Sequence, residues 1–346
     1  MRKPRGVTTP GGGRGRRCWE PWPRGPARGL GDLLRDPGGG VRPQGDHCFR
    51  QVTVPGVAAP TFEGLAREHP EWRGWLGVMR AALDESVNPA WRHVVIAPSS
   101  AREPGAPWLA GASITLDERR ARRWIRALLE TALDPIREGA GTPLAVSRID
   151  ALDHAAFLRA AVVLDTASLE AAGQAVGLSA DLARALAHPA ALPLLAACAA
   201  RMETASDGWG RGHCPVCGAW PAVVELRGLE VSRRLRCGRC GADWAIAWLA
   251  CVYCGNDDHR ELGGLVSESA GPMRRLDTCQ RCHGYVKSVT TLTARSHAEV
   301  VLEDVATVAY DVSALDEGAR RPPGLGWPLK VELRLGRRAG LFGWRR

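Results

Sequence analysis

No apolar run in this 346-residue chain approaches the roughly 18 to 20 residues of a membrane-crossing helix, and the most apolar stretch, Ala190 to Ala200, contains Pro193. The motifs of common enzyme chemistry are missing too. No glycine-rich strand-to-helix turn could cradle a phosphate, there is no G-x-S-x-G elbow, and no His/Glu pair stands at metalloprotease spacing. Nothing here calls for an enzyme. Arg16-Arg17 would suit a twin-arginine leader, yet Pro, Gly and charge follow where an apolar segment is required, so a cytoplasmic protein is expected. His69, His93, His154 and His188 have no evident partners and are expected to be satisfied or solvated.

What the chain does have is a division by composition. Residues 1–58 are rich in Gly, Pro and Arg without apolar periodicity, and read as a disordered basic segment; residues 1–50 alone carry a net +7. Residues 320–346 carry another +7, within a basic tail placed at 319–346. Taking both ends from the formal +9 leaves −5 for residues 51–319, so the basic balance belongs to the ends.

Residues 59–205 read as a helical bundle. Thr115-Leu-Asp-Glu118 has the pattern of a capping box, after which Ala121, Trp124, Ile125, Leu128, Leu129 and Ala132 follow at helical spacing up to Pro135. Further helices are expected over Phe62–Arg67, Trp72–Leu83, Ala151–Leu164, Ser179–Ala187 and Ala190–Met202, with Trp72, Trp75 and Trp124 as packing residues.

Residues 206–318 hold the chemistry. Four pairs, Cys214/Cys217, Cys237/Cys240, Cys251/Cys254 and Cys279/Cys282, gather eight of the eleven cysteines. Two residues between thiols let a tight turn aim both sulfurs at one ion, and a following Gly relaxes that turn. Three pairs have the Gly at once; the fourth has it one residue late, at Gly284. Nineteen residues separate Cys217 from Cys237 and twenty-four separate Cys254 from Cys279, which favours one site of Cys214, Cys217, Cys237 and Cys240 and a second of Cys251, Cys254, Cys279 and Cys282. An interleaved scheme would need crossed loops.

Strands are expected at Trp220–Leu226, Trp244–Cys251 and Tyr285–Thr293, and a helix over Glu299–Leu315 with Val301, Val305, Val308 and Val312 on one face. The fold class is thus α+β: a helical bundle, a tandem rubredoxin-like or zinc-ribbon metal domain, and a C-terminal helix. Ribbons this small have too little apolar area to fold alone, whereas a structural zinc supplies on the order of 10 to 16 kcal/mol in small peptides. Other uses of the cysteines fit less well. Disulfides need an oxidising compartment, a thioredoxin-like site needs one pair opening a helix, and Cys279-Gln-Arg-Cys282-His283 matches the c-type haem pattern at the cost of half the second site. Four thiolates accept zinc or iron. His213 and His283, beside cysteines, are expected to donate to the ligands without being ligands.

The arrangement resembles the FdhE family of formate dehydrogenase accessory proteins over about residues 58–328. The resemblance rests on the order of the four motifs, opened by His213-Cys-Pro-Val-Cys-Gly-Ala-Trp-Pro221 and closed by Cys279-Gln-Arg-Cys-His-Gly-Tyr-Val-Lys287, with support from Leu65-Ala-Arg-Glu-His-Pro70 and Leu302-Glu-Asp-Val-Ala-Thr-Val308. It implies a cytoplasmic, non-enzymatic maturation factor that binds iron in its knuckles and associates with the catalytic subunit of a molybdenum or tungsten formate dehydrogenase. The eight cysteines carry over as metal ligands. His283 departs from the family's Gly, Ala319–Trp327 matches the family's closing segment only loosely, and both basic ends are extra. A nucleic-acid-binding zinc ribbon is the rival reading, suggested by the sequence pI of about 9.2. Against it, residues 214–284 are nearly balanced, with nine Arg, no Lys and eight Asp/Glu.

Because residues 1–55 lack any pattern able to join a core, a chain beginning near Gly56 is expected to keep the metal content and melting temperature of the full chain. A drop of several degrees would show that they pack.

Overall fold

The computed structural model describes residues 58–139, 149–202, 208–266 and 273–336; the basic segment expected at the N-terminus lies outside them except for its last residue. Helices build the first half: α1 (Phe62–Glu68), α2 (Arg73–Ser86), α3 (Glu118–Gly139), α4 (His154–Val163), α5 (Thr166–Ala175), α6 (Ala180–Ala185) and α7 (Ala187–Ala199). Short polar residues start several of them. Asp153, Asp165 and Ser179 each accept from an amide of the first turn, satisfying donors that a helix end leaves open. The helices meet through Ile125, Leu128 and Leu129 of α3, Phe157 and Leu158 of α4, and Leu192, Leu194 and Leu195 of α7, all fully buried. Trp124 is buried among them and donates from Nε1 to the Ala190 carbonyl at 2.9 Å.

Two expectations for α3 need correction. Thr115 caps nothing: it lies in strand β2 (Ser113–Asp117), whose alternation of buried Ile114 and Leu116 with half-buried neighbours is a strand period. Asp117 caps the helix instead, accepting from the Arg120 amide at 2.8 Å. Nor does Pro135 end the helix, which continues to Gly139. Proline forfeits one ladder hydrogen bond, but its fixed φ is itself helical.

The cysteine-rich half is one six-stranded sheet made from two ribbons. Strands β3 (Val223–Arg227), β4 (Ser232–Arg236) and β5 (Asp243–Ala245) form the first, and β6 (Leu262–Val266), β7 (Arg274–Cys279) and β8 (Tyr285–Thr291) the second. The spatial order is β5-β4-β3-β8-β7-β6, antiparallel within each ribbon, with β3 and β8 parallel where the ribbons join. The strand expected over Trp244–Cys251 stops at Ala245, since Arg233 donates to the Ala247 and Ala250 carbonyls and so holds that stretch as a loop.

The C-terminal helix is two helices, α8 (His297–Ala306) and α9 (Val308–Asp316). The chain turns at Thr307, whose hydroxyl donates to the Glu303 carbonyl at 2.6 Å. The turn splits the expected valine stripe: Val301 is buried, whereas Val308 and Val312 are exposed. Ion pairs fasten both helices to the sheet. Glu303, buried, takes Arg274 and Arg295, both at 2.6 Å, and buried Lys287 reaches Asp304 at 3.0 Å and Asp311 at 2.6 Å.

Residues 319–336, expected within a basic tail, are packed. The Arg320 amide donates to His283 O, the Trp327 amide to Gly218 O, and β9 (Glu332–Gly336) adds in parallel to β2, which also pairs antiparallel with β1 (Val95–Ala97). Arg321 is held by Asp304 at 2.8 Å. Apolar Leu329 and Leu333, spaced for a strand, provide the anchor that net charge conceals. The core crosses the boundary near residue 205 as well: one buried cluster runs from Val78 through Leu195 to Cys214, Cys240 and Trp244.

Ending the chain after Pro328 removes Leu329, Leu333 and the β2–β9 ladder. Burial of two leucines contributes about 3 to 6 kcal/mol, so the urea midpoint of the shortened protein is expected to fall accordingly. An unchanged midpoint would show that β9 adds nothing.

Candidate metal centre

Each cysteine pair sits on a turn of the same build. The amide of the first cysteine donates to the carbonyl five residues on: Cys214 to Ala219, Cys237 to Ala242, Cys251 to Asn256 and Cys279 to Gly284, at 2.8 to 2.9 Å. In the first three turns the residue after the second cysteine also donates back to the first cysteine's carbonyl. Closing the turn requires a left-handed residue directly after the second cysteine. Gly218, Gly241 and Gly255 take it with φ of 70°, 80° and 71°.

In the fourth turn His283 itself is left-handed, with φ of 54°. The glycine is therefore not displaced by one residue, as the sequence suggested. Gly284 answers a different need, because a Cβ there would lie 2.5 Å from Tyr253 Cδ2 and 3.1 Å from Cys282 Sγ.

The turns bring the sulfurs together in two groups. Cys214 and Cys240 approach to 3.5 Å and Cys217 and Cys237 to 3.6 Å; Cys251 and Cys282 stand at 3.6 Å and Cys254 and Cys279 at 3.8 Å. Within each group all four sulfurs lie within 4.8 Å of one another. A tetrahedral ion with bonds of about 2.3 Å to sulfur needs edges of about 3.8 Å. Each group thus has the donors and the spacing to hold one ion, and the first pair is grouped with the second, not the third.

The two groups differ in surroundings. Cys214, Cys217, Cys237 and Cys240 are all buried, whereas Cys254 is exposed and Cys282 half-buried. In the first group burial pushes the Cys214 and Cys240 thiols up, while Cys217 is held down by hydrogen bonds from its neighbours, Cys214 foremost, with Arg239 contributing its charge. Arg239 stands between two of the cysteines and is itself buried, donating to the Ala161 and Val162 carbonyls at the end of α4.

Neither histidine beside the cysteines donates to a sulfur. His213 Nε2 faces the Gly105 carbonyl at 3.3 Å, with its ring between Trp209 and Trp327, and His283 is exposed. Donors at sulfur include the Val216 amide, 3.4 Å from Cys214, and the Asn256 side chain, 3.8 Å from Cys279. Nothing in the cysteine spacing singles out Asn256, which follows Gly255. His188 is satisfied, as expected, by a partner distant in sequence: its Nε2 meets the Gly238 carbonyl at 3.1 Å, and burial pushes its pKa down to about 4, keeping the ring neutral. Buried His154, expected to be satisfied, has no hydrogen-bond partner at Nε2 among the described residues.

The left-handed residue gives a paired test. Replacing His283→Gly relieves a strained backbone and is expected to stabilise the protein by about 1 kcal/mol. Gly284→Ala should destabilise it and weaken the second group's hold on metal, measured as faster release to a chelator. Equal behaviour of the two variants would rule out this account of the fourth turn.

No family model matches the chain. Over 100 residues, 28% of this chain and 32% of the relative, it is 32% identical to a protein called an FdhE homolog from Shewanella baltica strain OS223. It is 30% identical over 119 residues to an FdhE homolog of Edwardsiella ictaluri, and 28% identical over 119 residues to the protein FdhE of Escherichia coli O127:H6; each match covers 34% of this chain and 38% of the relative. The matched stretch thus spans about a third of the length of these curated relatives. The crystal structure of the FdhE protein from Pseudomonas aeruginosa aligns with a TM-score of 0.49 at 22% identity, covering 77% of this chain and 92% of that one. By these matches, this chain is similar to the FdhE proteins over about a third of its length.

Proposed function

We propose that this protein is a non-catalytic, cytoplasmic accessory factor in the maturation of a formate dehydrogenase, acting by binding the enzyme's molybdenum- or tungsten-containing catalytic subunit. In this reading Cys214, Cys217, Cys237 and Cys240 hold one metal ion and Cys251, Cys254, Cys279 and Cys282 a second, as iron by family resemblance or as zinc. Bound zinc would act as a scaffold alone, and iron would add the capacity for one-electron transfer.

The observation that carries the proposal is the pairing of two tetracysteine groups with sequence similarity to proteins named FdhE. Exposed apolar side chains beside the second group, Trp248 and Leu249, are what a protein-binding surface requires. The rival reading needs free cations to meet phosphate, and the ribbon's arginines are largely spent within the fold. Arg227, Arg234 and Arg236 face Glu225 or Asp243, Arg233 and Arg275 share Asp277, and Arg274 is bound to Glu303.

A variant with Cys251→Ser and Cys254→Ser is expected to lose association with the formate dehydrogenase catalytic subunit in pull-downs from the native host, while its helical circular dichroism persists. A host lacking the gene should make the subunit yet assemble little active enzyme. Recovery of nucleic acid or ribosomal components and never the dehydrogenase would sink the proposal and support the rival.

A further inference from the structure

We infer that the two cysteine groups have different tasks: the first is a keystone of the helical half, bound irreplaceably into its core, and the second is an exchangeable centre that can lose its ion while the helices stay folded. This concerns the chain's own architecture and holds whether or not the partner is the dehydrogenase.

In the first group Pro215, Val216, Gly218, Gly238 and Arg239 are each tied to something beyond their own ribbon. The Gly238 carbonyl is met by two imidazoles from opposite sides of the sequence, His188 of α7 at 3.1 Å and His297 of α8 at 2.8 Å. Burial lowers the pKa of both rings, so each is neutral and offers one N–H to the shared oxygen. The next residue, Arg239, closes the end of α4 through the Ala161 and Val162 carbonyls. On the facing turn, the Trp108 and Leu109 amides donate to the Pro215 and Val216 carbonyls at 2.7 and 3.1 Å, and Trp327 donates to Gly218 O. The four cysteines belong to the same buried cluster as Leu109, Leu192 and Leu195.

With the ion gone, four closely spaced sulfurs would have to reorganise in this packed interior. Any movement of the turns would release the end of α4, both imidazoles and the loop at Trp108 together. Interiors this close-packed do not yield locally.

The second group's hydrogen bonds stay largely within its own ribbon, although Val252 of its first turn joins the main buried cluster. Asn256 bridges Cys279 and Glu261, the Gln280 amide meets Glu261 O, and the Tyr253 hydroxyl donates to Tyr285 O. Arg320 meets His283 O. Its approach to the first group is through Val252, whose carbonyl lies against Gly212 so closely that a Cβ there would clash. Exposed Cys254 and half-buried Cys282 give a competing chelator direct access to two sulfurs.

The experiment uses the full chain loaded with two zinc ions and challenged with a chelator, following zinc release and peptide-resolved hydrogen exchange together. Release is expected in two phases. The first equivalent should leave while residues 251–254 and 279–282 lose protection and α4 and α7 keep theirs; the second should leave slowly, with loss of protection in α4 and α7. Loss of both ions in one phase would overturn the inference, as would helices exposed with the first equivalent or still protected after the second. A second variant keeps all eight cysteines. His188→Ala with His297→Ala removes both hydrogen bonds to the Gly238 carbonyl, so the slow phase should accelerate about 10-fold or more and the fast phase stay as it was. An unchanged slow phase, or equal acceleration of both, would count against the keystone role.

Discussion

Eight thiols must converge on two points, and this requirement dictates the backbone around them. A turn that presents two sulfurs in one direction needs a left-handed residue after the second cysteine, which the chain meets four times, three with glycine and once with histidine. Strands then leave each turn in fixed directions. Two such ribbons laid side by side leave β3 and β8 parallel neighbours, and the six-stranded sheet results. The sheet follows from the sulfur geometry more than from strand propensity, for several of its segments carry charge at alternate positions.

That charge is absorbed in an orderly way. Glu225, with no exposed surface, receives Arg227, Arg236 and the Arg295 amide, so no lone pair is stranded in the interior. Glu303 does the same on α8 for Arg274 and Arg295. Buried carboxylates of this kind fix which helix lies over which strand, since an apolar interface of equal area would tolerate sliding. The net charge of the chain says little about such pairs, which cancel locally.

Both cysteine groups and their pairing were legible because the spacing of thiols states the geometry directly. The helix capped by Ser179 was legible, whereas α5 was not expected although Asp165 caps it. Failures came where one residue fitted two patterns. Thr115 and Glu118 match a capping box, yet Ile114 and Leu116 in the same stretch have the alternation of a strand, and pairing with β9 decided between them. His283 hid a left-handed turn because backbone conformation is not written in side-chain chemistry. The roles of Arg239, His188 and His297 were out of reach, since each contacts a carbonyl distant in sequence, and any residue supplies a carbonyl.

The small sheet of the helical half has a temporal consequence. Its middle strand, β2, is bordered on one side by β1 from nearby sequence and on the other by β9, with Ser113 opposite Glu332, close to the opposite end of the described chain. During synthesis α1 to α7 emerge first, and β2 must wait with one edge unpaired while both ribbons are made. Contacts this remote close last and slow a chain's folding. The N-terminal half therefore cannot be finished on the ribosome ahead of the cysteine-rich half, and the two halves mature as one unit.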